Sequence, residues 1–305
     1  MTADPLCEFE SKEMNNEMKL SVFTVSVPDL TPRELGAAAA STGIEGIEWR
    51  FKGIPDDALV ESPSYWRHNH CSIDPEKWEK DIIECVDVAL TYNLKSIALV
   101  PYLDCKDIFA TELAFKAAAR LGASMVRVGV PGYYRSQSYQ DLYKTAIQYL
   151  SQVQEFAQQY QVKALVETHH MTIAPSASLA YRLVESFDPK HVGVLYDPGN
   201  MVFEGYENYR MGLELLGPYL AHVHMKNAIW SPRKGTKHTE IEYTQWEGEW
   251  APMDQGIVPW LEVMQDLHAV GYDGYVGIED FSGIYDSKNM LQHNADLFRL
   301  LQKQL

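Results

Sequence analysis

No run in this chain stays apolar over the roughly 18 to 20 residues that a bilayer-spanning helix needs, so no such helix is expected. Nor is there a CxxC pair: the four cysteines, Cys7, Cys71, Cys85 and Cys105, are scattered. In a chain of this length they read as reduced thiols and not as a disulfide framework. The polar, acidic start has no apolar core of a secretory signal, and a cytoplasmic protein is the expectation. Basic residues are scarce. Lys and Arg number 26 against 42 Asp and Glu, a net charge of −16, and they form no dense run. Tracking a polyphosphate takes a stripe of positive charge, so nucleic acid is not expected as a partner. The first strand-like segment is followed by no GxGxxG, the turn that a dinucleotide-binding open sheet would place there.

What the chain does have is one rhythm repeated eight times. Short apolar, β-branched runs alternate with longer amphipathic stretches. Strands are expected at 19–27, 43–50, 95–102, 124–131, 162–170, 191–200, 220–227 and 275–281. A helix opens at Thr31-Pro32-Arg33-Glu34 with the signature of a capping box. Further helices are expected at 74–94 (Asp74 as N-cap), 107–121, 138–160, 176–187, 208–216, 258–270 and 286–303. Continuous apolar strands, each followed by a helix, specify an α/β fold, a single-domain (β/α)8 TIM barrel. The expected organisation is a flexible acidic leader over 1–18 and a catalytic barrel domain over 19–305. Two irregular, aromatic-rich stretches, 51–73 and 229–256, leave the C-terminal ends of strands two and seven. Barrels build their sites on that face, so both are read as pocket walls or lids, with oligomer contact as the alternative.

Each of the last four strands ends in a group that can bind a cation: Glu167 in VETHH, Asp197 in YDPGN, His224 in HVHMKN and Glu279 in GIED. One such residue would be an ordinary polar strand end. Four on consecutive strands would converge at the barrel mouth. Three carboxylates and an imidazole suit one divalent ion, Mn2+ first, with Mg2+, Co2+ and Zn2+ as alternatives.

A Glu after strand five, Asp-x-Gly-x after strand six, His-x-His-x-Lys at strand seven and a Glu at strand eight resemble the xylose isomerase-like barrels. More narrowly, the chain is similar to the sugar phosphate isomerase/epimerase group, with its ketose 3-epimerases, hydroxypyruvate isomerase and inosose dehydratase. The resemblance runs over about 19–300 and is strongest in 162–281. It implies that Glu167, Asp197, His224 and Glu279 bind one metal, and that Glu167 and Glu279 also flank a reacting carbon and move its proton. The expected function is isomerisation or epimerisation of a sugar or polyol derivative, by proton abstraction next to a carbonyl through a metal-stabilised enediolate. The alternative is a lyase using the same abstraction, dehydrating a keto-inositol or eliminating from a 3-oxo-glycoside. An endonuclease IV-like nuclease fits the charge poorly, and a non-catalytic partner subunit would carry no stoichiometric metal; association into a homo-oligomer is a separate expectation. Two departures stand out: Asn200 where the pattern often has His, and Asn227 where it commonly has Asp.

Other residues are candidates for the pocket. Strand alternation puts His169 on the side of Glu167, as a base, and turns His170 away. Asn200 could bind a substrate hydroxyl, and Lys226 and Arg127 a substrate oxygen or a neighbouring acid. One of Glu48 and Arg50 is expected to point inward. Trp230 is a candidate for stacking on a sugar face, with Tyr102, Tyr133, Trp246 and Trp250 as companions. His68 and His70 have the spacing of a second metal pair but no carboxylate motif beside them, and are read as solvated.

Overall fold

β-branched and apolar residues dominate eight parallel strands because each strand is covered on both faces. The computed structural model describes residues 17–233 and 244–305. Its strands are β1 (Lys19–Phe23), β2 (Gly46–Phe51), β3 (Lys95–Pro101), β4 (Met125–Arg127), β5 (Lys163–Glu167), β6 (Val192–Tyr196), β7 (Leu220–Met225) and β8 (Tyr275–Ile278). Each pairs in parallel with the next, and β8 returns to β1 in the register Lys19↔Tyr275. The sheet therefore closes into a (β/α)8 barrel with helices between the strands. Residues 1–16 of the expected leader lie outside the described residues.

Helix boundaries follow local chemistry. Pro32–Thr42 carries the capping box, with Glu34 N donating to Thr31 Oγ1 and Thr31 N donating to Glu34 Oε2 at 2.9 Å. Gly43 and Gly122 end their helices in the left-handed conformation. The helix expected from residue 74 begins instead at Trp78. Asp74 Oδ1 accepts from Glu76 N at 3.0 Å, so the acid and Pro75 build a turn of their own before the helix.

All the barrel strands except β2 stop short of the expected ends on the C-terminal side, where the chain turns to build the mouth. β6 ends at Tyr196, and Asp197 then caps a helix not foreseen in the sequence, Pro198–Glu204, through Asn200 N donating to Asp197 Oδ1 at 2.9 Å. The stretch 229–256 also departs from the expected irregular loop. Strands Asn227–Pro232 and Trp246–Ala251 form an antiparallel hairpin; residues 234–243 between them lie outside the described set.

Asn227 roots this hairpin. Its Oδ1 accepts from Ala228 N and Val258 N, both at 2.9 Å, and its Nδ2 donates to Met253 O at 2.8 Å and Val258 O at 3.1 Å. Gly256 packs so closely that a Cβ there would overlap the amide. The common Asp could not fill this role, because a carboxylate has no proton for the two carbonyls. The substitution Asn227→Asp should leave them unpaired at a cost of about 1–3 kcal/mol. Calorimetry should show a melting temperature several degrees lower; an unchanged melt would remove the clamp from this account.

Candidate metal centre and active-site cavity

The barrel delivers four donors to one point. Glu167 is the last residue of β5, Asp197 and Glu279 directly follow β6 and β8, and His224 sits near the end of β7. All four are buried, and one donor atom of each lies within 4.8 Å of the others. His224 Nδ1 is 3.4 Å from Glu279 Oε2, 3.6 Å from Glu167 Oε1 and 3.8 Å from Asp197 Oδ2. Although buried, this nitrogen has no hydrogen-bond partner. Donors about 2.1 Å from a shared tetrahedral ion stand roughly 3.4 Å apart. The spacing and the orphaned nitrogen therefore fit a group that could hold one divalent metal.

Two cations and an amide offset the packed acids. Arg127 Nη1 donates to Glu167 Oε2 at 2.8 Å, and Lys226 Nζ donates to Asp197 Oδ2 at 2.8 Å while also pairing closely with Glu279. Asn200 Nδ2 donates to Asp197 Oδ2 at 2.7 Å and to Glu167 Oε1 at 3.3 Å. Burial by itself would raise the Glu167 carboxyl, but Arg127, followed by His224 and His169, holds it well below the ordinary range. Burial likewise works against ionised Asp197, and Lys226 and His224 outweigh it. Burial would lower the His224 imidazolium, yet Glu48 and Glu279 raise it well above the usual value.

The other expected site residues divide by depth. Arg127, Lys226, Asn200 and His169 line the main cavity. Asn200, foreseen as a partner for a substrate hydroxyl, is fully buried and spends its amide protons on Asp197, Glu167 and Thr168 O. Glu48 and Arg50 both lie inside and neither lines the cavity. Glu48 sits beneath His224, with Oε2 2.8 Å from His224 Nε2. Arg50 holds the β2 loop through Ser72 Oγ at 2.7 Å and Trp66 O at 2.8 Å. Trp230 is tied to Val202 O at 2.9 Å; Trp250, from the opposite hairpin strand, is the indole that lines the cavity. His68 and His70 face each other, Nε2 to Nε2 at 3.1 Å, and no metal-competent group among the described residues includes them.

His170 departs from the expected orientation. It lines the same cavity as His169, the two rings stacked at 4.4 Å, because β5 ends at Glu167 and strand alternation does not extend past it. Burial, with His169 and Lys226 nearby, lowers its pKa to about 4, so it is neutral at pH 7. Its Nδ1–H then donates to Asn200 Oδ1 at 3.2 Å, which fixes the amide with its nitrogen toward the carboxylates. Phe281 was not foreseen as a cavity wall; Trp66 was not singled out, but it comes from the 51–73 stretch read as a pocket wall or lid. Phe281 stands two residues beyond Glu279, a signal the sequence did carry, whereas Trp66 arrives on a loop whose path it did not.

The cavity itself measures about 930 Å3 and runs from the four-donor centre toward the loops after β3 and β4. A raised His224 pKa means that the metal-free imidazole carries both protons at pH 7, and a metal must displace the one on Nδ1. Affinity should therefore fall about tenfold per pH unit on the acid side of that pKa. Calorimetry of Zn2+ or Mn2+ binding in buffers of different ionisation enthalpy should report about one proton released; none released would contradict the charge state of His224.

Comparison with known proteins places this architecture. Inosose dehydratase of Geobacillus thermodenitrificans (strain NG80-2) is 29% identical over 121 residues, 38% of this chain and 39% of that protein, so the likeness spans about two fifths of the relative's length. A crystal structure of IolI protein with a bound zinc atom superposes with a TM-score of 0.69 at 16% identity, covering 94% of this chain and 99% of that one. The 3-keto-D-glucoside 4-epimerase YcjR of E. coli superposes with a TM-score of 0.66 at 17% identity, covering 94% and 100%. At these identities the two structures show the fold. Residues 36–301 match the family described as xylose isomerase-like TIM barrel, and with its closed eight-stranded barrel the chain belongs to that family.

Proposed function

We propose that this protein is a divalent-metal-dependent lyase that eliminates a hydroxyl or alkoxy group β to the carbonyl of a polyhydroxylated ring ketone. The observation that carries this reading is the orientation of the His169 ring. Its Nδ1 lies 2.7 Å from the carbonyl oxygen of His170. A carbonyl can only accept, so Nδ1 holds a proton, and in the neutral ring the lone pair falls on Nε2 of a residue that lines the cavity with Glu167, Asn200, Lys226 and Glu279. A divalent ion on Glu167, Asp197, His224 and Glu279 would polarise the carbonyl and its neighbouring hydroxyl and acidify the C–H beside them.

The residues then divide the work. His169 Nε2 takes the proton from the carbon next to the carbonyl, and the C–H electrons move into an enolate. That electron pair forms the C=C bond as the β C–O bond breaks. His169 returns its proton to the departing oxygen, giving an unsaturated ketone and water or an alcohol. One base suffices. Glu167 is poorly placed to be a second, because Arg127 occupies Oε2 and Asn200 contacts Oε1. Lys226, lying 5.0 Å from the Trp250 ring, keeps a positive charge beside the carboxylates as electrons shift. The similarity to inosose dehydratase supports this direction.

Epimerisation remains the second reading, since Glu167 and Glu279 reach the same centre from β5 and β8 and the fold is shared with a keto-glucoside 4-epimerase. NMR in D2O with the metal-loaded protein and cyclic polyhydroxy ketones separates the two. Elimination gives olefinic signals and free water or alcohol; epimerisation keeps the skeleton and places deuterium at one inverted carbon. The variant His169→Ala should lower kcat by roughly 10²–10⁴ with metal affinity unchanged. Full activity in that variant, or a deuterated epimer as product, would overturn the lyase reading.

A further inference from the structure

Directly beneath the four-donor centre lies a second buried group that no substrate can reach. Glu48, from the middle of β2, is fully enclosed and is not part of the cavity wall. Its Oε2 is 2.8 Å from His224 Nε2, its Oε1 is 3.0 Å from His222 Nε2, and Ser21 Oγ donates to Oε1 at 3.1 Å. Gly277 on β8 passes so close that a Cβ there would overlap Glu48 Oε1. Phe23 stacks on the His224 ring at 5.7 Å with an 18° interplanar angle.

Glu48, His222 and His224 are close enough to be considered as a metal group in their own right. The distances argue otherwise. Glu48 Oε2 is hydrogen-bonded to His224 Nε2 at 2.8 Å, closer than the roughly 3.4 Å between two ligands of one tetrahedral ion about 2.1 Å away, while His222 Nε2 lies 3.0 Å from Oε1 without a hydrogen bond. A carboxylate at 2.8 Å from a ring nitrogen accepts a proton from it. That decides the chemistry of the opposite nitrogen. With Nε2–H committed to Glu48, the lone pair of a neutral His224 must be on Nδ1, the atom that faces Glu167, Asp197 and Glu279.

We propose that Glu48 is a positioning residue for the metal: it selects Nδ1 of His224 as the ligand atom and holds the ring's plane, with Ser21, His222 and the missing side chain of Gly277 keeping Glu48 in place. The inference rests on the four donors holding a metal, and it concerns how they are made ready, whichever reaction follows. Carboxylate support of a ligating histidine fixes its tautomer and raises its basicity, and its loss typically weakens metal binding 10- to 100-fold.

The test is Zn2+ affinity by competition with a chelator, comparing wild type with Glu48→Gln and Ser21→Ala, each first confirmed as folded by circular dichroism. Glu48→Gln should bind about 10- to 100-fold more weakly, and Ser21→Ala should move in the same direction by a few-fold. The Co2+ absorption spectrum should change in Glu48→Gln. In the zinc-loaded protein labelled with 15N-histidine, His224 should retain a slowly exchanging Nε2–H that shifts in Glu48→Gln. Wild type that takes up no metal would overturn the centre itself. Wild type that binds metal, with Glu48→Gln equal in affinity and Co2+ spectrum, would overturn the role of Glu48 alone. A zinc-loaded His224 lacking the Nε2 proton would do the same.

Discussion

Three carboxylates are buried around one histidine nitrogen at the mouth of this barrel, and much of the surrounding structure answers that fact. Withdrawing an ion from water costs several kcal/mol per charge even after relaxation, and like charges at this range repel. Arg127 and Lys226 supply the opposing charge, and Asn200 spends its protons on two of the acids. His170, neutral through burial, orients Asn200. Glu48 adds a fourth acid below, shared between His222 and His224. Removing any one member leaves a buried charge or donor unmatched, so the group behaves as a network and not as separate pairs.

The fold was largely legible because the barrel writes its period into the chain. Eight apolar runs with helical stretches between them left few alternatives once β8 could return to β1. The four metal-binding candidates were legible for the same reason: each is an ionisable residue at the end of an otherwise apolar strand. Where the reading failed, a side chain's direction depended on structure beyond the strand. Alternation could not orient His170, because the strand ends three residues earlier. It also said nothing of depth. Glu48 does face inward, but one layer below the site, and only the stagger of closed strands sets that level.

The departures at Asn200 and Asn227 have different physical origins. Asn200 replaces a titratable ring with an amide that can donate to two acids and accept from His170 at once. Asn227 replaces an acid with the only common side chain of that size that can accept from two backbone amides and donate to two carbonyls. That clamp ties the start of the hairpin to residues 253–258, and the hairpin in turn carries Trp250 over Lys226 and against His170. Neither residue is one of the four donors. Both shape what surrounds them.

The closure of β8 against β1 has a temporal meaning as well. All four candidate ligands come from β5 to β8, the last of them at residue 279 of 305, whereas Glu48 and Arg127 belong to the first half of the barrel. During synthesis Glu48 and Arg127 are made before any of the four donors. The chain must be made through all eight strands before Glu279 is available to complete the set. The four-donor group is thus a property of the completed ring, assembled only once β8 has closed on β1.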